Sequence, residues 1–180
     1  MPGRIVIVSG PPGAGKSTIA RRLAKSADGP LSAHLHTDDF YAYIRKGYVE
    51  PWRPESRAQN TTVMRALAAS AAGYADGGYE VLVDGIVGPW FFDPWLEAAH
   101  ARGLDLRFVV LRPAEAETVA RAVAREGHPM RDPEVVRFMW RQFADLGEHE
   151  PHAFDSSNEG PEATTAALRA RLDRGDFKLS

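Results

Sequence analysis

The run Gly10-Pro-Pro-Gly-Ala-Gly-Lys-Ser-Thr18 follows a continuous β-branched stretch, Arg4-Ile-Val-Ile-Val8, and opens into Ser17-Thr-Ile-Ala-Arg-Arg-Leu-Ala-Lys-Ser-Ala27. An unbroken apolar run of that length reads as a strand buried on both faces. Ile19, Leu23 and Ala27 share one face of a helix that Asp28-Gly29-Pro30 stops. Between the two, Gly10-x4-Gly15-Lys16-Ser17 satisfies the Walker A pattern in full. Glycines let such a loop fold into a nest of N–H groups aimed at phosphate oxygens, and the helix N-terminus beneath adds its positive dipole end. On this reading Gly10, Pro11, Pro12, Gly13, Ala14, Gly15, Lys16, Ser17 and Thr18 hold a nucleotide. Lys16 bridges its outer phosphates, and Ser17 offers a hydroxyl to Mg2+.

The rest of the chain alternates strand-like and helix-like segments. Leu31 to Asp39 reads as a second, less apolar strand, and residues 40–55 as an irregular aromatic and proline-rich segment. Ser56-x-x-Gln59 matches a capping box for a helix through about Ala72, with Met64, Leu67 and Ala71 on one side. Tyr79–Asp84 is a third strand, Leu104–Arg112 a fourth, and residues 151–157 hold a short last one. Helices are expected from about Phe91 to Gly103, from Pro113, from Asp132-Pro133 with Val136, Met139, Phe143 and Leu146 facing inward, and from Pro161. Strands alternating with helices imply an α/β three-layer sandwich, a parallel sheet covered on both faces, and a single domain over residues 1–180.

Asp84 ends its strand as a Walker B carboxylate does when it joins Ser17 in holding magnesium. A GTPase switch would need Asp-x-x-Gly after the third strand and an Asn-Lys-x-Asp motif, and neither occurs. Motor ATPases usually place a glutamate directly after the Walker B aspartate to activate water; here that position is Gly85. A kinase, in contrast, needs a carboxylate at the phosphate crevice to receive the proton of an incoming hydroxyl, and Thr37-Asp38-Asp39 ends the second strand, where ligand crevices form. Alternation along that strand places Asp38 on the face of His34 and His36, and Asp39 on the other.

In the order "GPPGAGKST", "HTDDF", "VLVDG", "RAVAR", "FDSSN", the chain resembles the small P-loop kinases of the nucleoside/shikimate kinase type, closest to chloramphenicol phosphotransferase-like and gluconate-kinase-like proteins, often grouped as AAA-type small kinases. The resemblance implies a P-loop NTPase fold with five parallel strands in the order 2-3-1-4-5 and a lid at about residues 121–134. It also implies that Asp38 is the catalytic aspartate. Arg121 and Arg125, four apart on one helical face, are implied to contact ATP phosphates or stack on adenine, with Arg131 as a third candidate. Lys16, Asp38, Arg121 and Arg125 are thus the candidate catalytic groups, and residues 155–158 fall where related kinases wrap the adenine ring. The segment 46–60 does not look like the acceptor site of chloramphenicol phosphotransferase, so that acceptor is not carried over.

The acceptor pocket is expected from residues 40–57 and 84–90: Asp38, Tyr41, Tyr43, Trp52, Trp90 and Gly85 at its walls, with Arg53 or Arg57 meeting a polar or anionic group. Composition narrows the partners. A formal net charge of −2 with 26% charged residues argues against a chain that lives on nucleic acid or anionic membrane, and no run reaches the apolar length of a membrane-spanning helix. There are no cysteines, which excludes disulfides and thiolate metal sites and fits a cytoplasmic protein. The expected activity is ATP- and Mg2+-dependent phosphoryl transfer to a hydroxyl of a small metabolite or antibiotic. A nucleotide-binding regulator or slow ATPase, and a kinase of nucleotides or nucleic-acid ends, are the alternatives; the oligomeric state stays open.

Overall fold

The computed structural model describes residues 3–124 and 131–179. Five strands, β1 (Arg4–Ser9), β2 (Ser32–His36), β3 (Glu80–Asp84), β4 (Asp105–Leu111) and β5 (Ala153–Phe154), form one sheet in the order β2-β3-β1-β4-β5. All neighbouring pairs run parallel. Between and after them lie α1 (Lys16–Lys25), α2 (Thr37–Ala42), α3 (Arg57–Asp76), α4 (Asp93–His100), α5 (Glu115–Val123), α6 (Pro133–Arg141) and α7 (Pro161–Asp173). Among the described residues no helix is long and apolar enough to cross a membrane.

Successive side chains of a strand point to opposite faces, and the core divides accordingly. Ile5, Ile7, Val81, Val83, Phe108 and Val110 face one layer, packed with Leu67, Ala68 and Ala71 of α3 and Trp95 and Ala99 of α4. Val6, Val8, Leu82, Val109 and Leu111 face the other, against Ile19, Ala20 and Leu23 of α1 and Leu168 and Leu172 of α7. Each fully buried aliphatic side chain contributes ~1.5–3 kcal/mol, so β1, apolar on both sides, is the spine of the sheet.

Several expectations hold. Asp132 caps α6 by accepting from the Glu134 N–H at 2.9 Å, Pro161 opens α7, and Val136, Met139, Phe143 and Leu146 are all buried. Others are corrected. The second strand ends at His36, and Thr37 starts a helix with Asp38 and Asp39 in its first turn. Strand alternation therefore does not govern Asp38. Ser56 stands at the N-cap position of α3, as expected, but the reciprocal capping-box bonds do not form: its hydroxyl donates to the Pro51 and Arg53 carbonyls, and the Gln59 amide brackets the Val49 backbone, accepting at 2.8 Å and donating at 2.6 Å. Pro113 precedes α5, whose first residue is Glu115. The C-terminal segment carries an unforeseen pairing. β5 covers only Val110 and Leu111, and residues 177–179 complete the β4 edge in antiparallel sense, with Phe108 N–H donating to Phe177 and Leu179 N–H to Leu106, both at 2.9 Å. That pairing closes an edge that would otherwise present open backbone groups.

At the N-terminal end of the strands, Glu80 sits between two arginines. Arg4 Nε donates to its Oε1 at 2.8 Å, and Arg169 Nη1 donates to Oε1 at 2.8 Å and Oε2 at 3.1 Å. Removing one member of a buried ion cluster leaves uncompensated charge, which costs more than the cluster itself contributes. Glu80→Ala is accordingly expected to lower the unfolding free energy by ~3 kcal/mol in urea titration; a loss below ~1 kcal/mol would show that water already solvates both guanidinium groups.

Candidate functional site

The register of the sheet sets three strand ends side by side: Val8 pairs with Asp84, and His36 pairs with Asp84 from the other side. The glycine loop leaves β1 at this point and turns back into α1. Gly10 has φ 139° and Gly13 φ 85°; a Cβ on them would come 2.2 Å from the Leu111 carbonyl oxygen and 2.4 Å from that of Thr118. Only glycine meets both demands, so the loop lies close against β4 and α5. Lys16, the first residue of α1, reaches back to the Pro11 carbonyl at 2.9 Å. Ser9 Oγ donates to the Val87 carbonyl at 2.5 Å and accepts from its N–H at 3.0 Å, fixing the segment after β3 beside the loop.

Asp84 is fully buried, and both its oxygens are engaged. Ser17 Oγ donates to Oδ2 at 2.5 Å, His36 Nδ1 lies 2.9 Å from the same oxygen, and His34 Nε2 lies 2.5 Å from Oδ1. Burial pushes this carboxyl up, but the hydrogen bonds from His34, His36 and Ser17 outweigh it and hold it well below the usual carboxylate range. The other nitrogen of His36 is 3.3 Å from Asp38 Oδ2. Hydrogen bonds to Asp38 and then to Asp84 raise the His36 imidazole to about 10. The same bond lowers the Asp38 carboxyl against the opposing effect of burial, with the Lys16 charge adding to the lowering. Ser17, Asp84, His36 and Asp38 thus form one connected chain across the ends of β2, β3 and α1.

Ser17 spends its proton on Asp84, which leaves its oxygen lone pairs for a cation. Among the described residues no cluster of three or more His, Cys, Asp or Glu forms a protein-only metal cage. A hydroxyl backed by a carboxylate beside a phosphate nest suits Mg2+, which keeps most of its ligands as water and phosphate oxygens.

On the far side of the loop a cavity of about 350 Å³ is lined by Gly13, Ala14, Gly15, Thr18, Ile19, Arg121, Ser156, Glu159, Pro161 and Thr164. Its volume lies in the range of small-molecule sites. Arg121 reaches it while paired with Glu117 on its own helix. Arg125 and the middle of the expected lid lie outside the described residues. Arg131 donates to the Val123 carbonyl at 3.1 Å and is not among the residues lining this cavity. In residues 155–158, Ser156 lines the cavity, and Ser157 Oγ accepts from the Ala114 N–H at 2.8 Å.

The acceptor-side expectations divide. Tyr41 is half-buried, its hydroxyl donating to Asn60 Oδ1 at 3.1 Å, and burial first, then the Asp38 charge, pushes its phenol up. Tyr43, Trp52 and Trp90 are exposed. Arg53 pairs with Glu50, and none of Trp52, Arg53 or Arg57 makes a hydrogen bond or ion pair with Asp38 among the described residues. The site residues not singled out from the sequence are His34 and His36 at Asp84, and Glu159, Pro161 and Thr164 at the cavity. The signal for the two histidines was the His-x-His spacing, which puts both on one face of β2 facing the strand that ends in Asp84.

Gly85 has a packing reason to be glycine. A Cβ there would fall 2.1 Å from Thr37 Oγ1 and 2.2 Å from its Cγ2, so no side chain fits after Asp84 while α2 starts where it does. Gly85→Ala is expected to lower stability by ~1–3 kcal/mol through overpacking. Gly73→Ala, in open space on α3, should raise it by up to ~1 kcal/mol. Thermal denaturation that finds both changes neutral or of the same sign would contradict this packing.

A family model described as an AAA domain, AAA_33, matches residues 5–146. A guanylate kinase of Rhodopirellula baltica is 63% identical over 30 residues, a match that covers 17% of this chain and 14% of that protein. In solved structures, a sugar kinase from Janibacter superposes with TM-score 0.69 at 24% identity, covering 96% of this chain and 95% of that one. A Mycobacterium tuberculosis APS kinase, in complex with AMPPNP and APS, superposes with TM-score 0.69 at 16% identity over 96% and 98% of the two chains. Both structures are of kinases, and their match over nearly the full chain shows that this chain has the fold of the small P-loop kinases.

Proposed function

We propose a function for a chain that belongs to the AAA_33 family of AAA domains and has the fold of the small P-loop kinases: it moves the γ-phosphoryl group of ATP to a hydroxyl of a small metabolite or antibiotic. The observation that carries this reading is the position of Asp38. It is exposed, with its side chain 69% accessible, yet linked through His36 and Asp84 to Ser17 of the phosphate loop. On this reading an acceptor oxygen resting against Asp38 faces the terminal phosphate of a nucleotide in the loop.

In the reaction a bond forms between the acceptor oxygen and the γ-phosphorus. The bond from that phosphorus to the bridging oxygen breaks, ADP leaves, and the acceptor proton passes to Asp38. A carboxylate held below its usual range is a weak base, but in a loose phosphoryl-transfer transition state the proton leaves late, so orientation counts for more than basicity. Loop N–H groups and Lys16 hold the β- and γ-phosphates, and Arg121 with Pro161 provides flat walls for the base in the adjoining cavity. Ser17 and, through it, Asp84 would hold Mg2+, which when bound neutralises charge on the phosphates. Gly85 supports the same reading, since no water-activating side chain fits after Asp84.

The test is a mass-spectrometric search for any species that gains one phosphoryl group when the protein and Mg-ATP are added to a metabolite extract. Asp38→Asn should then reduce transfer by about 10²–10⁴-fold while ATP affinity measured by calorimetry changes less than about twofold. Lys16→Ala should abolish measurable ATP uptake. Undiminished transfer by Asp38→Asn rejects the role of that residue; turnover that no acceptor ever stimulates rejects the kinase. Arg121→Ala should weaken ATP binding about tenfold, as loss of one charge-assisted stacking partner does, and unchanged affinity would remove it from the nucleotide site.

A further inference from the structure

His36 lies between two carboxylates that the proposed reaction uses differently. Its Nδ1 is 2.9 Å from Asp84 Oδ2 and its Nε2 is 3.3 Å from Asp38 Oδ2. The two acceptors come from different elements: Asp84 ends β3, and Asp38 sits in the first turn of α2. That helix has only six residues and no side-chain cap, so little within it fixes the direction of an exposed aspartate. The imidazole, in contrast, is anchored twice. It stands on β2, whose last residue pairs with Asp84, and its Nδ1 meets a carboxylate already held by Ser17 and His34.

We propose that His36 is a positioning residue: its ring ties the buried Asp84 to the exposed Asp38 and so aims Asp38 at the terminal phosphate held by the loop. This rests on the kinase reading and adds to it the group that sets the base. An imidazole serves because its two nitrogens point in divergent directions from one rigid plane; an amide side chain reaches only one of the two carboxylates. Asparagine places its amide nitrogen where Nδ1 stood, and glutamine places its own where Nε2 stood. His36→Asn should keep the link to Asp84 and release Asp38, and His36→Gln should do the reverse.

Two measurements test this on the full chain. In long-range proton–nitrogen spectra of histidine-labelled protein without ligand, Asp38→Asn should shift the His36 Nε2 resonance and leave Nδ1 nearly unmoved. Asp84→Asn, provided it folds, should move Nδ1. The Asp38→Asn variant alone decides the point if it does not, because an Nε2 resonance indifferent to Asp38→Asn overturns the proposal whether or not the protein is a kinase. In the extract assay with Mg-ATP, His36→Asn should lower the transfer rate about ten- to a hundredfold with the KM for ATP within about twofold, and His36→Gln should recover part of that loss. Equal rates for wild type and His36→Asn, beside an inactive Asp38→Asn, would also overturn it. An Asp38→Asn variant that transfers as well as wild type would instead reject the kinase assignment of Asp38 and leave the spectra to decide whether the link exists.

Discussion

Asp84 is an ionised carboxylate with no exposure to solvent, and a charge so placed persists only if its lone pairs are used. Three side chains use them, from β2 and from the first turn of α1. That requirement reaches through the molecule. It needs β2 to carry two histidines on one face, in register with β3, and it needs the glycine loop to deliver Ser17 to the end of the neighbouring strand. Breaking a buried, hydrogen-bonded charge costs several kcal/mol, so these elements are locked to one another before any ligand arrives.

The layers on either side make that lock possible. β1 is apolar on both faces, so α1 can pack beneath the sheet while α3 and α4 pack above it, and the loop between β1 and α1 emerges where both layers end. Small residues matter here as much as large ones. Ala68, Ala71, Ala72 and Ala75 bring α3 close to the sheet, and Gly85 lets the start of α2 lie against the end of β3. The second of these contacts fixes where Asp38 begins.

The parts legible in the sequence were those that rest on local rules. A β-branched run before a glycine loop, a proline at the first turn of α7 and an aspartate before the proline of α6 each state their structure within a few residues. The start of α2 was not legible as a helix, because six residues are too few for a 3.6-residue period and Thr37 continues the look of a strand. Its two acidic residues were the available sign, since a helix N-terminus favours negative charge. The Ser56–Gln59 pair marked the start of α3 but not its hydrogen bonds. Both side chains found better partners in the irregular segment before α3, where Gln59 substitutes for a strand neighbour of Val49. No local rule announces a tertiary partner of that kind. The return of residues 177–179 to β4 has the same character.

The two carboxylates beside His36 show how environment, not residue type, divides labour. Asp84 has every oxygen occupied and no path to solvent, so it has no capacity to receive a proton from a substrate; what it can do is orient the Ser17 hydroxyl. Among the described residues Asp38 makes one longer contact, at 3.3 Å, and keeps most of its surface open, so an oxygen stays open to solvent. If the two were exchanged in burial, the sheet would hold an unpaired charge and the crevice would hold a saturated one. A single imidazole between them lets the buried member steady the exposed member without using up its open face. That arrangement requires α2 to start immediately after β2, because even one more strand residue would carry Asp38 away from the ring that holds it.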